Sequence, residues 1–265
     1  MDGAAGKESG EHASHGRLTR VETSVSLLCL PCAGASATMY LRWRRLLPQW
    51  VRVVPVELPG RGSRLAESGA RDFDSLVAQL CAEQAEAMRG RFAIFGHSMG
   101  ALLAFGMARR LRSMGHALPL ALLASASAAP SRRDPDRFAG KTGDAALIAD
   151  LRKQGGTPEE VFASPELMRI TLDVLGADYG VCEGFRYPGE APLPMPVHVF
   201  AGRDDDIEAE RIHAWSAEAS GAFSLDWFSG GHFFIREQET AFLGALSQRL
   251  GHAVAGNHHA SHALA

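Results

Sequence analysis

Ser98 lies in Gly96-His97-Ser98-Met99-Gly100, with the apolar run Phe92-Ala93-Ile94-Phe95 before it and Ala101-Leu102-Leu103-Ala104-Phe105 after it. A strand that feeds a helix through Gly-x-Ser-x-Gly is a nucleophile elbow. The two glycines remove side chains that would block a very tight turn, so the serine hydroxyl projects from the edge of a sheet. The serine also stands at a helix N-terminus, where backbone N–H groups face a developing oxyanion. A Gly-flanked turn serine shares the five-residue pattern; the flanking strand and helix are what the chemistry requires in addition.

A serine nucleophile needs a base to take its proton and a carboxylate to orient that base. His232 fits the first role, because Ser229-Gly230-Gly231-His232 follows the strand-like run Phe223–Phe228 and two glycines let the backbone swing a side chain over a neighbouring strand end. His213 falls within a predicted helix, and His252, His258, His259 and His262 belong to a polar tail. For the acid, Arg203-Asp204-Asp205-Asp206 follows the strand-like Pro196–Ala201. Asp204, nearest the strand end, is the expected acid, with Asp205 and Asp206 as candidates to cap the next helix. Ala124–Ala129, after the preceding strand, holds no carboxylate. Two backbone donors complete the chemistry: the N–H of Met99 and, from the small-residue loop Leu30-Pro31-Cys32-Ala33-Gly34-Ala35-Ser36, the N–H of Ala33.

The elements that must hold these groups alternate. Strands are predicted at Thr23–Pro31, Val51–Leu58, Phe92–Phe95, Pro119–Ala126, Pro196–Ala201 and Phe223–Phe228. Helices are predicted at Met39–Leu47, Asp74–Met88 with Leu76, Val77, Leu80 and Cys81 on one face, after Ser98, at Glu208–Ala219 and at Ile235–Leu250. Repeated strand-helix-strand units imply an α/β fold: a mostly parallel sheet with helices on both faces and chemistry at the C-terminal strand ends.

One stretch, about 130–194, breaks the alternation. It carries helix starts at Thr157-Pro158-Glu159-Glu160, a capping-box pattern, and at Ser164-Pro165. The second helix is apolar on more than one face, through Leu167, Met168, Ile170, Leu172, Val174 and Leu175. An inserted helical lid over the site accounts for this, with Leu167, Leu172 and Leu175 against the substrate; a helical excursion packed on the core is the plainer alternative. Gly155-Gly156 and Gly176 serve either as hinges or as helix terminators.

The chain has 265 residues, 46% hydrophobic and 22% charged, with a formal charge of −3. That size suits one α/β domain over about 23–250, with 1–22 a disordered lead-in and 251–265 a flexible tail. The charge balance and the lack of long like-charge blocks exclude nucleic acid and anionic membrane as main partners. No run reaches the length of a membrane span and no apolar targeting segment opens the chain. Cys29, Cys32, Cys81 and Cys182 have no close-paired metal spacing, which suits reduced thiols and a cytoplasmic enzyme. Cys32 beside Ala33 has nothing around it in sequence to make it a second nucleophile. His258-His259-x-x-His262 has no Cys or acid partner nearby and reads as incidental chelation rather than a metal site.

The stretches LLCLPCAGAS, VELPGRGSR, IFGHSMGALLAF, FAGRDDDIEA and DWFSGGHFFI, spread over Ser26–Leu250, resemble a type II thioesterase of polyketide and nonribosomal peptide biosynthesis, in the α/β-hydrolase superfamily. The resemblance implies that Ser98, Asp204 and His232 act as a triad that needs no metal or organic cofactor. It further implies hydrolysis of aberrant or stalled acyl groups from the phosphopantetheine arms of acyl or peptidyl carrier proteins; the sequence leaves the oligomeric state open, a monomer being the favoured expectation. Arg61 and Arg64, on the active-site side of the sheet, are then candidates for the pantetheine phosphate or an acidic carrier helix, as are Arg132 and Arg133; a solvated loop is the alternative for each pair. Cys32 departs from the family, whose members often carry His, Phe or Tyr at that place, so the shape of the acyl pocket does not carry over. A small-ester hydrolase of the same fold, or a catalytically silent binding module, is the competing class.

Overall fold

The computed structural model describes residues 24–134 and 136–262; the lead-in of residues 1–22 lies outside them. Six strands, β1 (Val25–Leu30), β2 (Val51–Pro55), β3 (Phe92–His97), β4 (Leu122–Ser125), β5 (Val197–Gly202) and β6 (Phe223–Phe228), form one sheet in the order β2-β1-β3-β4-β5-β6. Every pairing is parallel. All strand C-termini therefore lie along one edge. The inner strands β1, β3, β4 and β5 are buried along their whole length, as strands covered on both faces must be.

One face is covered by α1 (Phe73–Glu83) and α2 (Met99–Ser113). In α1 the buried residues Phe73, Leu76, Val77, Leu80 and Cys81 recur at helical spacing, and Asp72 caps the start by accepting from the Ser75 N–H at 2.7 Å. The helix stops at Glu83, five residues short of the expected Met88, which still reaches the same core through a turn rather than a helix. The other face is an aromatic cluster of Tyr40, Trp43, Phe95, Phe200, Phe234 and Phe242, with many ring centroids 4.7–5.9 Å apart at edge or tilted angles. Burial of each such ring contributes about 1.5–3 kcal/mol.

Between β4 and β5 come α3 (Asp144–Gln154), α4 (Glu159–Ala163) and α5 (Pro165–Gly184). Ser164 caps α5 through its side chain, with Pro165 next, as the sequence predicts. The expected capping box does not form, because α4 begins one residue later and its N-cap is Pro158. Gly155 ends α3 and so acts as a terminator; Gly176 sits inside α5.

After β5, α6 (Ala209–His213) tightens into a 3₁₀ turn over Ala214–Glu218, where the buried Trp215 donates its indole N–H to the Ser127 carbonyl at 2.9 Å. The final helix, α7 (Glu239–His262), continues through residues expected to be a flexible tail. Its buried stripe Phe242, Leu246, Leu250 and Ala253 carries the pattern past Leu250. The side chains of the His258, His259 and His262 cluster lie outside the described residues.

Candidate active site

Ser98 occupies the turn between β3 and α2 with φ 55° and ψ −115°. A non-glycine residue there costs on the order of 1–3 kcal/mol and is held by its surroundings; its own N–H donates to the Ser125 carbonyl at 2.7 Å. Both glycines of the motif have a steric reason. A Cβ on Gly96 would lie 2.0 Å from the Gly100 carbonyl oxygen, so Gly96 lets the turn fold onto itself. A Cβ on Gly100 would lie 2.2 Å from the Leu30 carbonyl oxygen, so Gly100 lets the end of β1 press against the start of α2.

His232 follows Gly230, whose φ is 105°, in the loop after β6. Its Nδ1 lies 2.8 Å from Asp205 Oδ2, and both side chains are almost wholly buried. The carboxylate fixes the proton on Nδ1 and leaves Nε2 as the lone-pair nitrogen. Nε2 is buried without a hydrogen-bond partner, and His232 and Ser98 both line a cavity of about 120 Å³. Such base–nucleophile contacts are often long in the ligand-free state and tighten when substrate binds.

The carboxylate that meets His232 is Asp205, not the expected Asp204. Asp204 is exposed; it accepts from the Gly230 N–H at 3.1 Å and donates its own N–H to the Gly230 carbonyl at 3.0 Å. The loops after β5 and β6 touch so closely that a Cβ on Gly202 would sit 2.4 Å from the Gly231 carbonyl oxygen. The first carboxylate after the strand is spent on joining those loops, and the second reaches the imidazole. Asp206 faces the inserted helices, paired with Lys153 at 2.8 Å and Arg137 at 3.4 Å. Burial works to raise its pKa, but these cations outweigh it and hold the carboxyl well below the usual range.

His97 was not singled out in the sequence. It is fully buried, its Nδ1 lies 3.0 Å from Ser125 Oγ, and its ring centroid is 5.3 Å from that of His232. Burial, His232 and Arg236 push its pKa well below the usual histidine value, so a neutral ring backs the base. Position −1 to the elbow serine was the available signal.

Ala33 and Met99 both line the same cavity. Met99 is the first residue of α2, where helical N–H groups have no partner within the helix, and the Ala33 N–H has no acceptor among the described residues. The loop carrying Ala33 is braced on two sides. Gly34 donates its N–H to Asp178 Oδ2 at 2.8 Å, while Ser36 Oγ and the Ala37 N–H donate to Glu57 at 2.7 and 3.0 Å. Burial pushes the neighbouring Cys32 thiol up to about 12, which makes it a wall rather than a nucleophile.

The other expectations fare unevenly. Leu172 and Leu175 are buried, but with Leu147 and Tyr179 in a small core of the inserted helices, and Leu167 is exposed. Leu175 lines a second cavity of about 280 Å³; none of the three lines the cavity of Ser98. The inserted segment contributes Arg133, Phe138, Gln154, Tyr179 and Cys182 to that wall instead. Tyr179 extends the Leu172–Leu175 stripe by one turn, so following the stripe further finds it. Arg61 is buried in a two-pronged ion pair with Asp178, and the partly exposed Arg64 is paired with Glu67 and Glu83. Arg133 donates to the Cys182 carbonyl at 2.9 Å over the Phe185 ring, and Arg132 is exposed. The two cavities share Cys32, Ala33, Gln154, Tyr179 and Phe233 as walls. Among the described residues no group of His, Cys, Asp and Glu has a metal-binding arrangement, and no helix is long and apolar enough to cross a membrane.

The family model of the thioesterase domain matches residues 25–250. Thioesterase PikA5 of Streptomyces venezuelae is 35% identical, over 86% of this chain and 82% of its own. Among solved structures, the type II thioesterase BorB from the borrelidin biosynthetic cluster superimposes with a TM-score of 0.77 at 41% identity, covering 86% of this chain and 93% of that one. RedJ, a thioesterase from the prodiginine pathway of Streptomyces coelicolor, gives 0.77 at 32%, covering 85% and 91%.

Proposed function

The chain belongs to the thioesterase family, and from that premise we propose that it is an editing, type II enzyme that clears stalled acyl groups from the phosphopantetheine arms of carrier proteins in polyketide or nonribosomal peptide synthesis. The observation that carries the reading is the buried His232–Asp205 pair, whose Nε2 has no other partner and whose His232 lines a cavity together with the strained Ser98.

In this reading Nε2 takes the Ser98 proton as Oγ attacks the thioester carbonyl. The N–H groups of Ala33 and Met99 hold the oxyanion, which is the charge that develops on the way to the transition state. His232 then gives the proton to the departing sulfur, and Ser98 keeps the acyl group as an ester. Water, deprotonated by the same nitrogen, attacks that ester and releases the carboxylic acid. Asp205 holds the ring in one tautomer throughout and steadies the imidazolium. The two cavities suit the two halves of such a substrate. The 120 Å³ cavity at Ser98 takes the acyl group, and the larger one receives the amide-bearing arm along Ser36, Thr38, Thr157 and Thr171.

The test is hydrolysis of a set of acyl groups loaded on several carrier proteins, against the same acyl groups as free esters, with Ser98→Ala and His232→Ala alongside. Carrier-bound thioesters are expected to turn over and both variants to lose nearly all activity. Because the triad works as a unit, the double variant should be scarcely worse than either single one. Much faster turnover of free esters would point to a small-ester hydrolase instead.

A further inference from the structure

We infer that Arg61 and Asp178 form a positioning pair for the oxyanion loop, a role that rests on the assignment of the Ala33 N–H as an oxyanion donor. Asp178 lies in α5, Arg61 in the loop after β2, and both are almost wholly buried. Arg61 donates to both carboxylate oxygens, at 2.5 and 2.6 Å. The oxygen at 2.6 Å also accepts the Gly34 N–H at 2.8 Å, and the guanidinium reaches the Ala35 carbonyl at 3.3 Å. The pair therefore grips two consecutive residues of the loop, directly after Ala33.

What it grips is the middle peptide of a turn that the Ala35 N–H closes on the Cys32 carbonyl at 3.1 Å, a bond that leaves that peptide able to flip. Gly34 has φ +76°, a conformation open to glycine, so rotation about the Ala33–Gly34 peptide costs little unless something fixes it. The bond from Gly34 to Asp178 fixes that peptide plane and so limits ψ of Ala33, the torsion that relates it to the Ala33 N–H. Stability alone is a poor reason for the pair. A buried ion pair is often no more stabilising than two apolar side chains of the same volume, whereas only a fixed acceptor can hold the Gly34 N–H. The same contact makes the middle of α5 part of the catalytic floor.

Two double variants separate positioning from packing. Arg61→Met with Asp178→Leu removes the charges and the acceptor; Arg61→Met with Asp178→Asn removes the charges but keeps an amide oxygen for Gly34. Each is measured for kcat and KM on an acyl-carrier thioester, for melting temperature, and for affinity to an acyl trifluoromethyl ketone, whose tetrahedral adduct needs the oxyanion donors. The Leu double variant is expected to lose on the order of 10²-fold in kcat, the size of one oxyanion donor. Its KM should stay within about threefold and its ketone affinity should fall in step with kcat. The Asn double variant is expected to recover most of that loss at a similar melting temperature. Parental kcat in the Leu variant, or equal losses in both, would overturn the proposal. If neither folds, the single Asp178→Ala, which removes the acceptor of the Gly34 N–H, is compared with the parent in the same way: a drop in kcat and ketone affinity at constant KM supports the role, and parental values overturn it. A parent that cleaves only free esters would sink the carrier reading while leaving this comparison readable on esters.

Discussion

His232 Nδ1 lies 2.8 Å from Asp205 Oδ2, while Asp204, its neighbour in sequence, is bonded to the backbone of Gly230. Asp205→Asn should therefore cost on the order of 10⁴-fold in kcat, because the amide leaves the imidazole in the wrong tautomer. Asp204→Asn keeps an oxygen for the Gly230 N–H and should stay within about tenfold of the parent. Steady-state kinetics on folded variants decide it, and the reverse ranking would return the acid to Asp204.

Gly100→Ala should damage the enzyme although alanine suits a helix. The added methyl would meet the Leu30 carbonyl oxygen at 2.2 Å, a contact that only backbone movement relieves. Such overpacking costs typically about 1–3 kcal/mol, and here the displaced backbone leads into the oxyanion loop. The expected result is a lower urea midpoint together with a fall in kcat larger than any change in KM. A fully active, equally stable variant would refute the steric account of this glycine.

Substrate length should be controlled by the wall of the Ser98 cavity and not by the leucines of α5. Ala128 lines that cavity, and Leu172 sits in the separate core of the inserted helices. The parent should accept acetyl to decanoyl groups with a shallow preference, since a methylene is worth only about 1–3 kcal/mol in an apolar pocket. Ala128→Phe should cut turnover of the longer groups most, and Leu172→Trp should lower stability without changing the ranking. A chain-length profile altered by Leu172→Trp alone would put α5 back over the substrate.

Acid should unfold the protein partly through His198. Burial, reinforced by Arg249, pushes its pKa from 6.5 down to about 4, with Nδ1 2.8 Å from Ser224 Oγ. The unfolded chain therefore binds a proton that the folded one refuses between pH 6.5 and 4, so stability falls as pH falls through that window. The full difference is about 3 kcal/mol, and the buried His97 acts in the same direction. Urea unfolding at pH 7 and pH 4 should show a smaller acid loss in His198→Gln than in the parent. Equal losses would mean that His198 titrates normally.

The alternation of apolar runs made the sheet legible, and the glycines around Ser98 and His232 made the elbow and the base loop legible, because tight turns demand specific residues. The choice within Asp204-Asp205-Asp206 was not legible. Three identical side chains carry no local signal, and the decision rests on how closely Gly202 approaches Gly231, a contact between distant parts of the chain. Arg61 and Arg64 misled for the same reason. Their partners Asp178 and Glu83 lie in segments that only the fold brings near, while Glu67, three residues after Arg64, was a local partner within reach of a sequence reading, so two arginines that look available in sequence are already engaged. The Leu172–Leu175 stripe was read as apolar on more than one face; it packs on Leu147 and Tyr179 in a core of the inserted helices, with Leu175 also lining the second cavity, and none of it lines the cavity of Ser98.

All four cysteines are buried, and burial raises the thiols of Cys29, Cys32, Cys81 and Cys182 well above the ordinary cysteine value. An enzyme whose product is a free thiol thereby keeps its own sulfurs as protonated thiols, even Cys32 and Cys182 in the wall of the Ser98 cavity, and a thiol, unlike a thiolate, is a poor nucleophile toward any disulfide that product forms. Released pantetheine thiol should therefore be titratable with an aromatic disulfide reagent in the presence of the folded protein, whose own cysteines react slowly by comparison.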